Sequence, residues 1–210
     1  MIPLFLSALA VGYSGAMMPG SLLTYTIRQS LRAGPKSGFI IIAGHALLEL
    51  ALIAGIFLGL DAVLKSSAAQ TAISLVGGVL LGYMGIDMFL KAAKNKVSVA
   101  VEAGKGASGS MFVSGIALSA TNPYFLLWWA LIGLGFLMNA YRDFAILGVV
   151  TYYTGHILAD FSWYGLISVV VGKTRKFIKE KPYRIILMVL GGLLVYFGVK
   201  FFVDAMVALL

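Results

Sequence analysis

The sequence predicts an all-α membrane protein, with six transmembrane helices built as two inverted three-helix repeats. Three observations predict it. Hydrophobic residues make up 60% of the 210 and charged residues 11%, with a mean hydropathy of +0.97; a soluble domain carries about 25% charged residues. The apolar sequence divides into six stretches of roughly 20 residues or more, the length a bilayer crossing needs. One pattern also occurs twice: Gly44-His45-Ala46-Leu47-Leu48-Glu49 returns as Gly155-His156-Ile157-Leu158-Ala159-Asp160.

The spans are expected at about 2–27, 38–60, 71–90, 111–137, 144–172 and 185–209. The first lacks Lys and Arg through residue 27 and is too long for a signal-peptide core, so it reads as a mature span. Arg28, Arg32 and Lys36 follow it. Asp61 and Lys65 balance in the second loop, and Arg142 and Asp143 in the fourth. The third loop, 91–110, holds Lys91, Lys94, Lys96 and Lys105 against Glu102. The fifth, 173–184, holds Lys173, Arg175, Lys176, Lys179, Lys181 and Arg184 against Glu180. Odd loops are basic and even loops neutral, which predicts a multi-pass protein of the cell membrane with both termini outside. Attraction to anionic lipid accounts for the net charge of +8, so nucleic acid is not an expected partner. Cysteine is absent, which excludes disulfides and thiol redox chemistry. Little polar sequence remains for a second domain, so residues 1–210 read as one transmembrane domain, with repeats at about 1–96 and 108–210.

The repeat extends beyond the histidines. Pro19-Gly20-Ser21-Leu22-Leu23 aligns with Pro123-Tyr124-Phe125-Leu126-Leu127, and Gly78 to Gly85 with Gly191 to Gly198, at offsets of 104, 111 and 113 residues in the same order. Three spans per half is an odd number, so the second half runs through the membrane in the opposite sense. Inverted repeats are a transporter architecture, with the site between the halves. Gly55 with Gly59, and Gly78 with Gly82, read as small-xxx-small packing pairs.

Pro19 and Pro123 fall inside spans. Each lacks an N–H and crowds the carbonyl four residues back, freeing those of Gly15 and Ser119. Broken backbone at membrane depth is tolerated inside protein or beside a watery cavity. Polar residues gather at both breaks: Ser14, Ser21 and Thr24 at one, Ser119, Thr121 and Asn122 at the other. A simple kink explains one such proline; two at equivalent positions predict paired discontinuous helices.

His45 and Glu49, like His156 and Asp160, are four residues apart and share a helix face. An ionised carboxylate at mid-membrane costs roughly 2.5–3.5 kcal/mol even on lenient insertion scales, so it must be paired, hydrated or protonated. One reading is a set of contacts stapling helices together. The other is a midplane site that binds a cationic group or carries protons, since histidine changes charge in the physiological range. Asp87 and Lys200 sit near span ends and read as interfacial. Trp128, Trp129, Trp163, Tyr152, Tyr153 and Tyr164 fit a cavity lining, but fit aromatic belts at the membrane surface better.

Met18-Pro19-Gly20-Ser21 before a basic loop resembles the first-span Pro-Gly-Pro-(Asn/Gln) signature of the LysE/RhtB amino-acid exporters. Thr121-Asn122-Pro123-Tyr124 resembles their Asn-Pro motif in span four. Chain length, six spans and Gly-rich third and sixth spans extend the resemblance over the whole chain. The family's second proline and amide are here Ser21 and Leu22, so if that amide contacts substrate in relatives, this chain contacts it differently or carries something else. The resemblance implies export of amino acids or similar small zwitterions, without an enzymatic reaction or a cofactor. The substrate's ammonium would meet Glu49 or Asp160. Its carboxylate would meet the half-helix N-termini after Pro19 and Pro123, with Gly20 allowing close approach and Asn122 donating its amide. The candidate binding residues are therefore His45, Glu49, His156, Asp160, Pro19, Gly20, Ser21, Asn122 and Pro123. Expected partners are a small amino-acid substrate, the lipid bilayer and, in an oligomer, further copies of the chain.

Two rival readings remain. Two histidines and two carboxylates also make a four-ligand set for a divalent transition metal as transported cargo. A membrane-embedded hydrolase would need a nucleophile, for which Ser119 and Thr121 are the nearby candidates.

Overall fold

Every apolar stretch of the sequence folds as helix. The computed structural model describes residues 1–18, 20–60, 62–63, 66–96, 110–174 and 180–208, and among them there is no strand. The helices are α1 Ile2–Ala16, α2 Ser21–Ala33, α3 Ser37–Gly55, α4 Ser67–Ala93, α5 Met111–Ala120, α6 Pro123–Trp128, α7 Leu134–Thr174 and α8 Glu180–Ala208. Wider π-helical turns, Ile56–Leu60 and Trp129–Gly133, extend α3 and join α6 to α7. Pro19, and the loop charges Asp61, Lys65, Glu102, Lys105, Arg175, Lys176 and Lys179, lie outside the described residues.

The first and fourth apolar stretches are each broken in two. α1 and α2 meet at 81°. The Gly15 carbonyl is met by the Met18 N–H at 3.2 Å, and the Ser119 carbonyl by the Asn122 N–H at 3.1 Å. Both freed acceptors are thus satisfied by a tightened last turn. Pro123 opens α6, at a position whose N–H no intrahelical carbonyl would use.

Among the described residues, four helical segments are long and apolar enough to cross a membrane: Ser37–Leu60, Ser67–Ala93, Pro123–Thr174 and Glu180–Ala208; α1 with α2 makes a fifth if the bent pair is one span. Pro123–Thr174 has 52 residues. At about 1.5 Å per residue that is roughly 78 Å, more than twice a hydrocarbon core of about 30 Å. It turns at Ala145 (φ 50°, ψ −140°), after which Gly148 lies against the Ala140 carbonyl. The sequence places a loop here; a single left-handed residue does the work instead.

Glycine sets which helices touch. A methyl group on Gly85 would sit 2.6 Å from the Gly191 carbonyl oxygen, and one on Gly78 2.8 Å from that of Gly198, so α4 and α8 pack backbone to backbone. Gly44 and Gly115 bring α3 against α5. Gly12 and Gly155 bring α1 against α7. Gly59 departs from expectation: nothing lies near it, and its φ of 105° is what demands glycine. Ser30, Ser37 and Ser168 tie α2, α3 and α7 together through hydroxyl bonds of 2.7–3.1 Å. The outward surface is apolar, with Leu58, Tyr83, Leu131 and Ile146 among its exposed side chains, as suits a bundle surrounded by hydrocarbon.

Candidate functional site

The i, i+4 spacing on α3 and α7 turns both His–acid pairs inward, and the two pairs meet. His156 Nε2 donates to Glu49 Oε1 at 2.9 Å, and Trp129 Nε1 donates to the same oxygen at 3.1 Å. His45 Nε2 lies 3.4 Å from that oxygen and 4.0 Å from Asp160 Oδ2. His156 Nε2 lies 3.7 Å from Asp160 Oδ2. All four side chains are buried, Glu49 to 1% exposure. Their cost in hydrocarbon is met by one another rather than by lipid.

The two halves of the cluster differ. Glu49 Oε1 is surrounded by donors, whereas Asp160 Oδ2 has no hydrogen-bond partner, and neither has Glu49 Oε2 or His156 Nδ1. Ser119 gives its hydroxyl proton to the Gly115 carbonyl at 2.7 Å, so towards His45 its Oγ accepts, from Nδ1–H at 2.8 Å. Neutral His45 therefore keeps its proton on Nδ1 and turns the Nε2 lone pair towards the carboxylates. A proton arriving at Nε2 would convert that lone pair into a donor facing both acids.

Aromatic rings wall the cluster. Trp128 stacks on His156 with centroids 4.8 Å apart, Tyr152 stacks at 6.0 Å, and Phe125 meets His45 edge-on at 5.3 Å. Trp128 Nε1 reaches Ser14 Oγ at 3.2 Å, linking α6 to α1. Belt positions at the membrane surface are thus not where these residues sit: Trp129 and Tyr152 are fully buried and Trp128 nearly so. The two tryptophans carried a signal, lying together in mid-span just past the Pro123 break. The π turn that begins at Trp129 widens the helix there.

An open pocket, about 540 Å³ counted with the solvent space at its mouth, borders the cluster and both helix breaks. His45, Glu49, His156, Asp160, Gly20 and Asn122 line it, with Trp128 and Tyr164. Ser21 is buried on the wall of a neighbouring cavity, and Pro123 turns away to pack against Gly77. At the α6 end Asn122 Oδ1 accepts from the Tyr124 N–H at 3.1 Å, which caps that helix. At the α2 end Gly20 caps with no side chain. The first-turn N–H groups of α2 are therefore uncapped by side chains, while the Asn122 Nδ2 lies beside Gly20. His45 Nε2, Glu49 and Asp160 also offer one donor atom each within 4.8 Å of one another, a spacing a metal ion could bridge.

The profile of the family described as LysE type translocator matches residues 13–205. The chain is similar to a Bacillus subtilis (strain 168) protein named "Putative amino acid efflux protein YcgF", 24% identical over 198 residues that cover 94% of each chain. No solved structure matches. The hydrolase reading falls with these findings, as does the chemistry for it, since Ser119 spends its proton on a carbonyl. A multi-pass transporter of small molecules, not an enzyme, is what the apolar helices and the match together describe, and the chain belongs to the LysE type translocator family.

Proposed function

We propose that the protein exports amino acids or similar small zwitterions across the cell membrane, coupled to protons, by alternating access around the central cavity. One observation carries this reading: both His–acid pairs and both helix breaks border the same cavity. A zwitterion needs a cation partner and an anion partner a few ångströms apart. Asp160, with its unpartnered oxygen, suits the ammonium. The uncapped start of α2 and the Asn122 amide suit the carboxylate. His45 and the carboxylates suit proton exchange, because each proton change alters the charge facing the substrate. The name of the Bacillus subtilis relative, an amino acid efflux protein, points the same way.

Alternating access rests on an inverted repeat of six spans in one domain. Its support is the exchange of partners between halves. Gly78 pairs with Gly198 and Gly85 with Gly191, and a two-fold axis in the membrane plane interchanges those contacts. α1 packs on α7 and α5 on α3, so each half finds its neighbour in the other and the halves fold together. The exposed pairs Asp87–Lys91 and Lys200–Asp204 occupy matching positions with their signs reversed. The basic odd loops favour a cytoplasmic location for them, with both termini outside.

The test is efflux of a panel of radiolabelled amino acids from cells overproducing the protein, over pH 5 to 8. The reading expects at least one to leave faster than from control cells, with a pH-dependent rate. A divalent metal as cargo is the second reading, favoured by the three donor atoms within 4.8 Å. Zinc or manganese binding by the purified protein, with no amino-acid efflux, would select it.

A further inference from the structure

A second open cavity, larger than the central one at about 810 Å³ counted with the solvent space at its mouth, lies between α2, α4, α5 and α8. Ser21, Thr24, Tyr25, Arg28, Asp87 and Lys91 contribute its polar wall. Consecutive residues of two helices line one cavity and then the other. In α2, Ser21 lines the second cavity and the next residue, Leu22, lines the first; in α5, Leu118 lines the second and Ser119 the first. Its charged residues belong to the helix ends that lead into the first and third loops. We propose that this cavity is a substrate subsite, a vestibule on the basic-loop face that receives small zwitterions and passes them to the central cavity. The proposal rests on the export reading.

Charge and asymmetry support it. Arg28, Lys91 and Asp87 put both signs of charge on its wall, where a zwitterion would exchange partners with the Asp87–Lys91 pair, 2.7 Å apart. The hydroxyls of Thr24 and Tyr25 line the same wall while donating to the Gly20 carbonyl and Ser114 Oγ. The matching positions of the other repeat carry aromatic rings, two of which, Phe125 and Trp128, line the central cavity. The counterparts of Ser21, Thr24 and Tyr25, at the 104-residue offset, are Phe125, Trp128 and Trp129, all buried. The counterparts of Met84 and Met88, at the 113-residue offset, are Phe197 and Phe201, whose rings lie 6.4 Å apart, with Tyr124 stacked on Phe201. Hydroxyls and methionines in the first repeat thus correspond to aromatic rings in the second. The proposal requires that solute reach Leu22 and Leu118 from the basic-loop side.

The absence of cysteine makes this directly testable. Single cysteines at the wall positions Met84 and Met88 would be treated in oriented membrane vesicles with anionic sulfonatoethyl and cationic trimethylammonioethyl methanethiosulfonates. Lys94→Cys marks the basic-loop face and Ser67→Cys the opposite end of α4. Expected is reaction from the Lys94 side only, several-fold faster with the anionic reagent. Arg28→Gln should reduce that preference to about parity, as removal of a steering cation does. Modification should lower efflux of preloaded radiolabelled amino acids by about tenfold or more relative to the same variant unmodified. No reaction at either position, reaction from the Ser67 side, or equal rates for the two reagents would overturn the proposal, as would efflux surviving full modification. Absence of efflux before modification would instead overturn the export reading, and this one with it; two wall positions guard against one variant that fails to fold.

Discussion

His156 Nε2 donates to Glu49 Oε1 over 2.9 Å, so the histidine of the second repeat is held by the carboxylate of the first. The reverse pairing is looser, with His45 Nε2 4.0 Å from Asp160 Oδ2. Trp129 adds a second donor to Glu49 and has no counterpart at Asp160. The four groups are thus unequal: each acid has one oxygen without a hydrogen bond, but Glu49 Oε1 accepts two and anchors the cluster, whereas Asp160 is held only by the looser approach of the two histidines.

The anchor should show itself in stability. Glu49→Gln keeps the shape but removes the charge that two imidazoles and an indole surround. Breaking a buried ion pair costs about 3–5 kcal/mol, so the variant should unfold in detergent well below the parent. Asp160→Asn breaks no hydrogen bond at Oδ2 and should lose about 1 kcal/mol or less, the usual scale of one ordinary substitution. Thermal unfolding of the two purified variants compares them directly; equal losses would contradict the division of roles.

His45 should govern the pH response. Its Nδ1 is committed to Ser119, which leaves Nε2 as the atom that gains or loses a proton in front of both carboxylates. His45→Gln retains a donor for Ser119 but has no charge change between pH 5 and 8. Efflux by this variant should persist at a reduced rate and vary less than about twofold over that range. A pH profile unchanged from the parent's would place the titrating group elsewhere.

The packing between α4 and α8 predicts a contrast among glycines of one helix pair. Gly85→Ala puts a methyl group 2.6 Å from a backbone oxygen and should cost about 1–3 kcal/mol, as overpacking does. Gly192→Ala meets nothing within 4 Å and, in mid-helix, should be neutral or gain up to about 1 kcal/mol. Thermal unfolding in detergent reads both.

Much of this was legible in the sequence, for a physical reason. Hydrocarbon rejects charge and broken backbone, so His45, Glu49, His156 and Asp160, with the proline breaks, stand out against 60% hydrophobic sequence. What depends on side-chain direction was not legible. Tryptophan suits a membrane surface and a buried wall equally well, and the π turn at Trp129 leaves no sequence mark. Proline at a break predicts an open backbone; that Pro123 itself packs on Gly77 depends on a neighbour 46 residues away. Ala145 turns the chain with a left-handed conformation that alanine gives no reason to expect. Asn122 was expected to donate, and its Nδ2 does lie beside Gly20, but its oxygen is used to cap α6.

The most direct test of the central claim is amino-acid efflux from reconstituted vesicles by the parent and Asp160→Asn, at matched protein incorporation. Asp160 lines the cavity, and its Oδ2 makes no hydrogen bond that the substitution would break. The account predicts a variant that inserts and unfolds like the parent yet exports at least about tenfold more slowly, the loss expected when one charged contact worth roughly 1.4 kcal/mol or more disappears. Export by Asp160→Asn at the parent's rate from pH 5 to 8 would contradict it.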